Sequence, residues 1–275
     1  MAQGTIRTGT AGWVFEPWRG TFFPTGLVQK KELAYASSRL STIEINATFR
    51  ANQKPDSFRK WAGEVTQPGF VFSIKGPQLV THIKRLKNCE TELANFFASG
   101  PLALGDKLGP FVWQLPPNLG YDPTVLRDFL NLLPRNTDDY IALASKSDER
   151  LKSEPWLDAV DAGPIRHAIE MRNASFDRPE VDDVLHEFKV ARVIADTAEN
   201  PGRELTADFA YCRLQGPPAG DGYGQADIAD WAATAKAWAA EGKDVFAYFV
   251  HEDKLHAPTN AIALRKAAGI TLPDD

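Results

Sequence analysis

The feature that most constrains this chain is the regular return of short apolar stretches, each followed by a segment with helical character. Eight stretches have strand character, namely Thr5–Thr10, Thr42–Asn46, Phe70–Lys75, Pro110–Leu115, Arg166–Arg172, Val190–Asp196, Phe209–Gln215 and Val245–Val250. Strands that alternate with helical patterns are typical of parallel βα units. Eight such units in 275 residues predict one domain over residues 1–275, a (β/α)8 TIM barrel, with a doubly wound open sheet as the alternative.

The segments between the strands include seven predicted helices, namely Leu27–Leu40, Pro55–Glu64, Cys89–Leu104, Pro123–Leu133, Pro179–Lys189, Gln225–Glu241 and Asn260–Ala268. Proline favours the first turn of a helix and glycine the residue after its end, which sets several of these bounds. Two intervals depart from the pattern. Residues 134–165 are long enough for an extra helix before strand 5, which we place at Ser147–Asp161. Residues 197–208 are short and rich in helix breakers, so the sixth crossover is expected to be irregular.

Polar residues recur in the carboxyl-terminal halves of the predicted strands. Side chains alternate between the interior of a barrel and its helix layer, and we assign the apolar positions to the helix layer. The interior positions are then Glu44, Asn46, Ser73, Lys75, Gln114, Glu170, Arg172, Asp196, Tyr211, Arg213 and Gln215. Active sites of these barrels form at that end of the strands. Because buried charges need partners, the set indicates either a ligand site or a self-paired polar network.

The residue types in this set favour an anionic ligand. Lys75, Arg172 and Arg213 suit a phosphate or a carboxylate, as in a sugar-like metabolite. Glu44 or Glu170 would serve as general acid or base, so the enzyme classes left open are hydrolase, lyase and isomerase. The predicted catalytic set is Glu44, Lys75, Glu170 and Asp196, with Lys75 as a Schiff-base nucleophile in one variant.

Loop residues complete the predicted ligand contacts. Together with Asn46, Gln114, Arg172 and Arg213, the predicted binding residues are Trp13, Trp18, Thr48, His82, Gln215 and Tyr223. Aromatic side chains after strand 1 could cover the ligand, and the alternative is a satellite cluster that buries its own loop. His82 follows strand 3 by a few residues. The alternative to a catalytic role there is a loop hydrogen-bonding group.

No cofactor is predicted, because the chain lacks a P-loop, a dinucleotide fingerprint and a nucleophile elbow. The histidines are too scattered for a multi-zinc site. A single Mg or Mn ion on Glu44, Glu170 and Asp196 is left open, although three nearby cations weigh against it.

Composition and charge limit which cellular compartment and which binding partners we expect. Two distant cysteines, Cys89 and Cys212, together with the absence of a signal peptide and of a long apolar run, predict a cytoplasmic protein without membrane contact. The net charge of −5 gives no overall attraction to nucleic acid. The basic segment His82–Lys87 nevertheless leaves a nucleic-acid-binding or nucleic-acid-processing barrel as an alternative, beside a non-catalytic interaction scaffold.

Several motifs carry a family resemblance: "GTAGW", "TIEINATF", "GFVFSIKGPQLVTHIKRL", "LGDKLGPFVWQLPPN", "EMRNASF", "VIADT" and "ADFAYCRLQG". In this order they resemble the DUF72 family, also called YecE-like, from about Ile6 to about Ala263. The resemblance implies a TIM barrel and no established activity. Its pattern matches at Glu44, Asn46, Thr48, Lys75, His82, Gln114, Glu170, Arg172, Asp196 and Arg213.

The chain departs from the family pattern at three places. Asn173 and Phe176 stand where the family usually has His and Trp, and Gln215 stands where it has His. The segment "FVHED" replaces a usual F-N-N, and His251 within it is the candidate substitute for a missing imidazole.

Overall fold

The eight predicted strands form a closed, all-parallel barrel in which each strand neighbours the next one in the sequence. The computed structural model describes residues 2–160, 162–197, 202, 204–216, 222–250 and 255–272. The strands are β1 Ile6–Ala11, β2 Thr42–Ile45, β3 Val71–Lys75, β4 Leu108–Gln114, β5 His167–Glu170, β6 Ala191–Ala195, β7 Phe209–Leu214 and β8 Asp244–Phe249. The TIM-barrel prediction is confirmed, and the open doubly wound sheet is wrong.

The described ranges contain α1 Glu32–Arg39, α2 Ala47–Arg50, α3 Pro55–Glu64, α4 Glu90–Ala98, α5 Pro123–Leu132, α6 Thr137–Ala144, α7 Pro179–Phe188, α8 Gln225–Ala240 and α9 Ala257–Ala267. A π-helical turn covers Leu79–Ile83, and 3₁₀ turns cover Glu16–Trp18, Gln29–Lys31, Pro101–Lys107 and Ala174–Phe176. Helices α3, α5 and α7 begin at the prolines that predicted their starts. Before α5, the Asp122 side chain accepts from the backbone N–H groups of Thr124 and Val125, which caps the helix.

The extra helix before β5 exists, but its predicted position is wrong. It lies at Thr137–Ala144, and residues 147–160 contain no helix. Asn136 caps α6, because its side chain accepts from the Asp139 N–H at 2.8 Å. The predicted site is instead a turn in which Asp148 accepts from the backbone and side chain of Arg150. Asp161, the last residue of that prediction, lies outside the described residues.

The sixth crossover includes residues 198–201 and 203, which also lie outside the described part of the chain. The expectation of an irregular connection there stays a prediction.

The chain divides into two compact units. Unit 1 comprises residues 1–44, 64–70 and 193–275, and unit 2 comprises residues 45–63 and 71–192. In unit 1, β1, β7, β8 and α8 share a core cluster formed by Ile6, Ala210, Ala235, Ala239 and Val245. In unit 2, the helix-facing side of β4 carries aromatic packing, with Trp113 edge-on to Phe96 and to Phe129.

No helix in the described ranges is long and apolar enough to cross a bilayer.

Candidate functional site

Three consecutive strands of unit 2 end in polar side chains that join into one hydrogen-bonded chain. Lys75, Gln114 and Glu170 are the last residues of β3, β4 and β5. The Lys75 Nζ donates to Gln114 Oε1 at 2.9 Å, and the Gln114 Nε2 donates to Glu170 Oε2 at 2.8 Å. Parallel strands end at the same edge of a sheet, and the register pairs Gln114 directly with Glu170. The strand ends therefore position this chain of side chains.

Arg172 extends the hydrogen-bonded chain toward solvent. It follows Glu170 by two residues, and its Nε donates to Glu170 Oε1 at 2.7 Å. Glu170 is buried, whereas the Arg172 side chain is 40% exposed. Within the described residues, the two Nη groups of Arg172 have no hydrogen-bond partner. A guanidinium held at Nε with both Nη groups open can bind an oxyanion with two parallel hydrogen bonds.

Phe49 and Thr48, both on α2, support Lys75. The Thr48 hydroxyl donates to the Lys75 carbonyl at 2.7 Å, and the Lys75 Nζ lies 4.3 Å from the centre of the Phe49 ring. A cation over a ring face is stabilised by the ring quadrupole. Four residues give no helical periodicity, so helix α2 is not among the helices that the sequence predicts. Phe49 was not among the predicted site residues for the same reason.

His82 lies in the π-helical turn, with its ring 5.1 Å from that of Phe49, edge to face. Burial lowers the pKa of His82 below its ordinary value, and the charges of Lys75 and Arg172 lower it further. The imidazole is therefore neutral near pH 7. Its Nδ1 shares a hydrogen bond of 2.9 Å with the Thr81 hydroxyl. A neutral imidazole beside two cations can donate to an anion or carry a proton.

Asn46 falls after β2 rather than within it, at the N-terminal end of α2. Its Oδ1 is buried and has no hydrogen-bond partner among the described residues. The predicted ligand contact at Asn46 stays a prediction.

In unit 1, Glu44 forms a second polar group with two residues of β7. The Tyr211 hydroxyl donates to Glu44 Oε2 at 2.8 Å, and the Arg213 Nη2 donates to Glu44 Oε1 at 3.1 Å. Glu44 is fully buried, and Arg213 is 5% exposed. Both carboxylate oxygens of Glu44 thus have donors within the protein, as a buried carboxylate requires.

Tyr248 of β8 belongs to the same surroundings and was not singled out in the sequence. Its ring lies 5.0 Å from that of Tyr211, and its hydroxyl shares a 2.8 Å hydrogen bond with Thr42. The signal was present, since Tyr248 is the one phenol in the otherwise apolar stretch Val245–Val250.

Asp196 follows β6 and holds the backbone beyond β7. It accepts from the N–H of Gln215 at 2.7 Å and of Gly216 at 3.1 Å. The Tyr223 hydroxyl also donates to Asp196 Oδ2. Burial raises the pKa of Tyr223 well above its usual range, and this hydrogen bond adds to the effect. The Asp196 carboxylate therefore holds the backbone of Gln215 and Gly216 and the Tyr223 hydroxyl. The roles predicted for Asp196, Gln215 and Tyr223 stay predictions.

The two tryptophans after β1 differ in exposure. Trp18 is 1% exposed and packs edge-on against Phe15, Phe22 and Phe23. Its burial fits the satellite-cluster interpretation, because a ring so enclosed offers no face to a ligand. Trp13 is half-buried, and its predicted ligand contact stays a prediction.

Two cations of the basic segment His82–Lys87 contact acceptors of the protein itself. Lys84 lies 3.4 Å from a carboxylate oxygen of Glu92, and Arg85 donates to the Asn118 carbonyl at 2.8 Å. This engagement gives no support to the nucleic-acid alternative.

Within the described residues, no group of three or more His, Cys, Asp or Glu side chains is arranged to hold a metal ion. Glu44, Glu170 and Asp196 each accept hydrogen bonds from donors of the protein. The open prediction of a single Mg or Mn ion on these carboxylates stays untested, and His251 lies outside the described residues.

Family comparison decides the relationship of the chain. The model of the family described as "Protein of unknown function DUF72" matches residues 7–274. The chain belongs to the DUF72 family. Comparison with curated proteins gave no match.

Solved structures of this family share the fold. A DUF72 family protein from Enterococcus faecalis V583 superposes with a TM-score of 0.71 at 17% identity, over 97% of this chain and 96% of that one. A second crystal structure of a protein from the same organism gives 0.69 at 18% identity, over 98% and 100%. A DUF72 family protein from Thermotoga maritima MSB8 gives 0.67 at 21% identity, over 95% and 98%. Identities this low establish the fold alone.

Two of the family departures have a structural account. Asn173, in place of the family His, accepts from the Ser175 N–H and donates to the Pro117 carbonyl at 2.7 Å. Phe176, in place of the Trp, is buried with its ring 5.5 Å from that of Tyr121. This DUF72 protein uses both positions to fix the loop after β5.

Proposed function

We propose that this protein binds a small ligand bearing a phosphate or carboxylate at the carboxyl ends of β3, β4 and β5. The observation that carries the proposal is the half-exposed Arg172, held at Nε by Glu170, while no described residue accepts a hydrogen bond from either of its Nη groups. Lys75 lies in the same hydrogen-bonded chain and adds a second positive charge near Glu170. Cations of this kind favour the binding of an oxyanion.

In this proposal the residues divide into contacting and positioning groups. Arg172 binds the oxyanion as a fork, and Lys75 and His82 face the same charge. Glu170 and Gln114 hold Arg172 and Lys75 in place, because both Glu170 oxygens already accept hydrogen bonds. Preorganised donors of this kind lose little conformational freedom when a ligand binds.

His82 is the group best suited to move a proton within this site. Its pKa lies below the ordinary value, so it is a neutral base near pH 7. A bound anion would offset the charges of Lys75 and Arg172 and raise the pKa of His82. The His82 imidazole would thus become a stronger base when the ligand binds, which would favour proton transfer at this site.

The test is a titration with inorganic phosphate, followed through the His82 ring signals by NMR as a function of pH. We expect saturable shifts and a higher His82 pKa in the phosphate-bound protein. Arg172→Gln should weaken phosphate binding by about tenfold, since it removes a charge-assisted fork.

The matched control is Arg178→Gln, which makes the same change on an exposed arginine that packs over Tyr121. It should leave phosphate binding unchanged. Equal loss in both variants, or no shift of the His82 signals with phosphate or with acetate, would sink the proposal.

A further inference from the structure

A cavity of about 350 Å³ lies in unit 2, with none of Lys75, Gln114, Glu170 or Arg172 in its lining. Its walls come from α2 and the loop after it, from the π-helical turn, from α4 and from residues 150–153. Ligand cavities in proteins typically measure about 300–1,000 Å³. The cavity is therefore large enough for a small molecule and distinct from the site proposed above.

The cavity has apolar walls. Phe49, Pro77, Leu79 and Leu151 contribute to them. Leu79 is 43% exposed, so part of its side chain is open to the cavity. An aromatic ring and two leucines facing an open cavity suit a flat, apolar ligand body.

The cavity is also rich in cations. Arg50, Lys54 and Lys152 line it and are exposed. Within the described residues, their side chains form neither an ion pair nor a hydrogen bond. A local excess of unpaired cations in a chain of net charge −5 attracts an anionic group to this place.

Glu92 supplies the third feature. It lines the cavity and is 5% exposed. Its Oε1 accepts from Arg150 Nη1 at 3.0 Å and lies 3.4 Å from Lys84 Nζ. Its Oε2 is buried and has no hydrogen-bond partner among the described residues. A desolvated carboxylate oxygen without a donor is costly, and a ligand that brings a donor removes this cost.

We propose that this cavity binds a nucleoside monophosphate whose base carries an exocyclic amino group. The base lies against Phe49 and the leucines, its amino group donates to Glu92 Oε2, and the phosphate contacts Lys54 and Lys152. Glutamate accepts from an exocyclic amino group in other base-recognition sites, so the pairing is chemically ordinary. The proposal is independent of the oxyanion site at Arg172.

The experiment is isothermal titration calorimetry of the full chain with cytidine 5′-monophosphate, and in parallel with phenyl phosphate. Phenyl phosphate has the ring and the phosphate but no amino donor. We expect the cytidine nucleotide to bind more tightly than phenyl phosphate, and Glu92→Gln to remove that preference. The double variant Lys54→Ala/Lys152→Ala should lower the affinity for the nucleotide by about tenfold.

Three controls keep the result interpretable. Lys30→Ala/Lys31→Ala removes two exposed lysines of unit 1 and should leave binding unchanged. The ratio of the two affinities in Glu92→Gln does not depend on the stability of that variant. If Glu92→Gln fails to fold, the exposed-lysine variant Lys54→Ala/Lys152→Ala still tests the proposal. Arg172→Gln should keep nucleotide binding while it weakens phosphate binding by about tenfold, which separates the two proposals.

The proposal is overturned by absence of nucleotide binding, by equal affinity for phenyl phosphate and the nucleotide, or by a Lys54/Lys152 double variant that binds as tightly as the parent. Loss of nucleotide binding in Arg172→Gln alone would place the nucleotide at the strand ends instead and equally overturn it.

Discussion

His167 of β5 is buried on the helix-facing side of unit 2. One of its ring nitrogens accepts a hydrogen bond and the other donates one. The Trp113 Nε1–H donates to His167 Nδ1 at 3.2 Å, and the His167 Nε2 donates to the Pro134 carbonyl at 2.7 Å. A second proton on Nδ1 would face the Trp113 N–H. Burial lowers the pKa of His167 to about 4, with a smaller contribution from Arg135. The structure therefore requires the neutral imidazole.

This requirement predicts a pH-dependent stability. Well above pH 6.5 the ring is neutral in both the folded and the unfolded state and contributes no pH dependence. As the pH falls from 6.5 toward 4, the unfolded chain takes up a proton that the folded chain refuses, so the free energy of unfolding decreases by about 3 kcal/mol. Chemical denaturation at several pH values, followed by tryptophan fluorescence, measures this slope.

The variant His167→Gln should show a shallower decrease between pH 6.5 and 5, by about 2 kcal/mol. His186→Gln, on the exposed face of α7, serves as the control and should keep the parent slope. If His167→Gln kept the pH dependence of the parent protein, the assignment of this dependence to His167 would be contradicted.

At the scale of elements, the end of β3 is a place where side-chain packing leaves the backbone little room. Gly76 follows Lys75, and its N–H donates to the Val112 carbonyl at 2.8 Å. A Cβ at Gly76 would lie 2.3 Å from the Trp113 ring, far inside contact distance. The glycine thus lets β3 and β4 approach each other around a buried indole, and this approach sets the position of the Lys75 side chain.

We predict that Gly76→Ala lowers the free energy of unfolding by roughly 1–3 kcal/mol, because the indole must shift in a packed interior. Gly63→Ala makes the same chemical change near the end of α3, where nothing lies within 4 Å. It should instead raise stability by about 0.5–1 kcal/mol, since alanine is the better helix former. Thermal or chemical denaturation compares the two, and effects of the same sign would contradict this account.

Elements with a long periodic pattern were predictable, and short ones were not. Strand bounds followed from apolar stretches, and prolines fixed the starts of α3, α5 and α7. Helix α2 and the π-helical turn escaped prediction, since tertiary contacts around Thr48 and Lys75 specify them. The extra helix was misplaced because the Asn136 cap outweighed the composition of residues 147–160.

In the candidate site, too, contacts that follow from a periodic pattern were predictable, and contacts made by loops were not. The alternation within β2 and β7 predicted that Glu44 and Arg213 share a side of the sheet, and the structure joins them by a hydrogen bond. The contacts of Asp196 with Gly216 and Tyr223 involve loops. Loop geometry has no period, so no pattern in the sequence indicated these partners.

At the scale of the whole molecule, the distribution of charge distinguishes a site for a small anion from a surface that binds nucleic acid. The chain carries 36 Asp and Glu side chains and 31 Lys and Arg side chains. This excess of negative charge opposes general attraction to a polyanion. The unpaired cations described above are local, as suits a small anion. A barrel that bound nucleic acid along its surface would need a continuous basic stripe.

We therefore predict no retardation of single-stranded or duplex oligonucleotides in gel-shift experiments at ~0.15 M salt. At low salt, any weak binding should vanish in Lys54→Ala/Lys152→Ala. Retention of a tight, salt-resistant complex would instead support the nucleic-acid alternative and weaken the small-ligand proposals.

Phe49 contacts the Lys75 Nζ with one ring face, approaches His82, and also lines the cavity of unit 2. A molecule that moves this ring changes the surroundings of the Lys75 ammonium. Thermodynamic linkage then makes the two binding equilibria heterotropic: the factor by which a nucleotide alters phosphate affinity equals the factor by which phosphate alters nucleotide affinity. Phe49→Leu, which keeps an apolar wall without the quadrupole, should bring that coupling factor close to one.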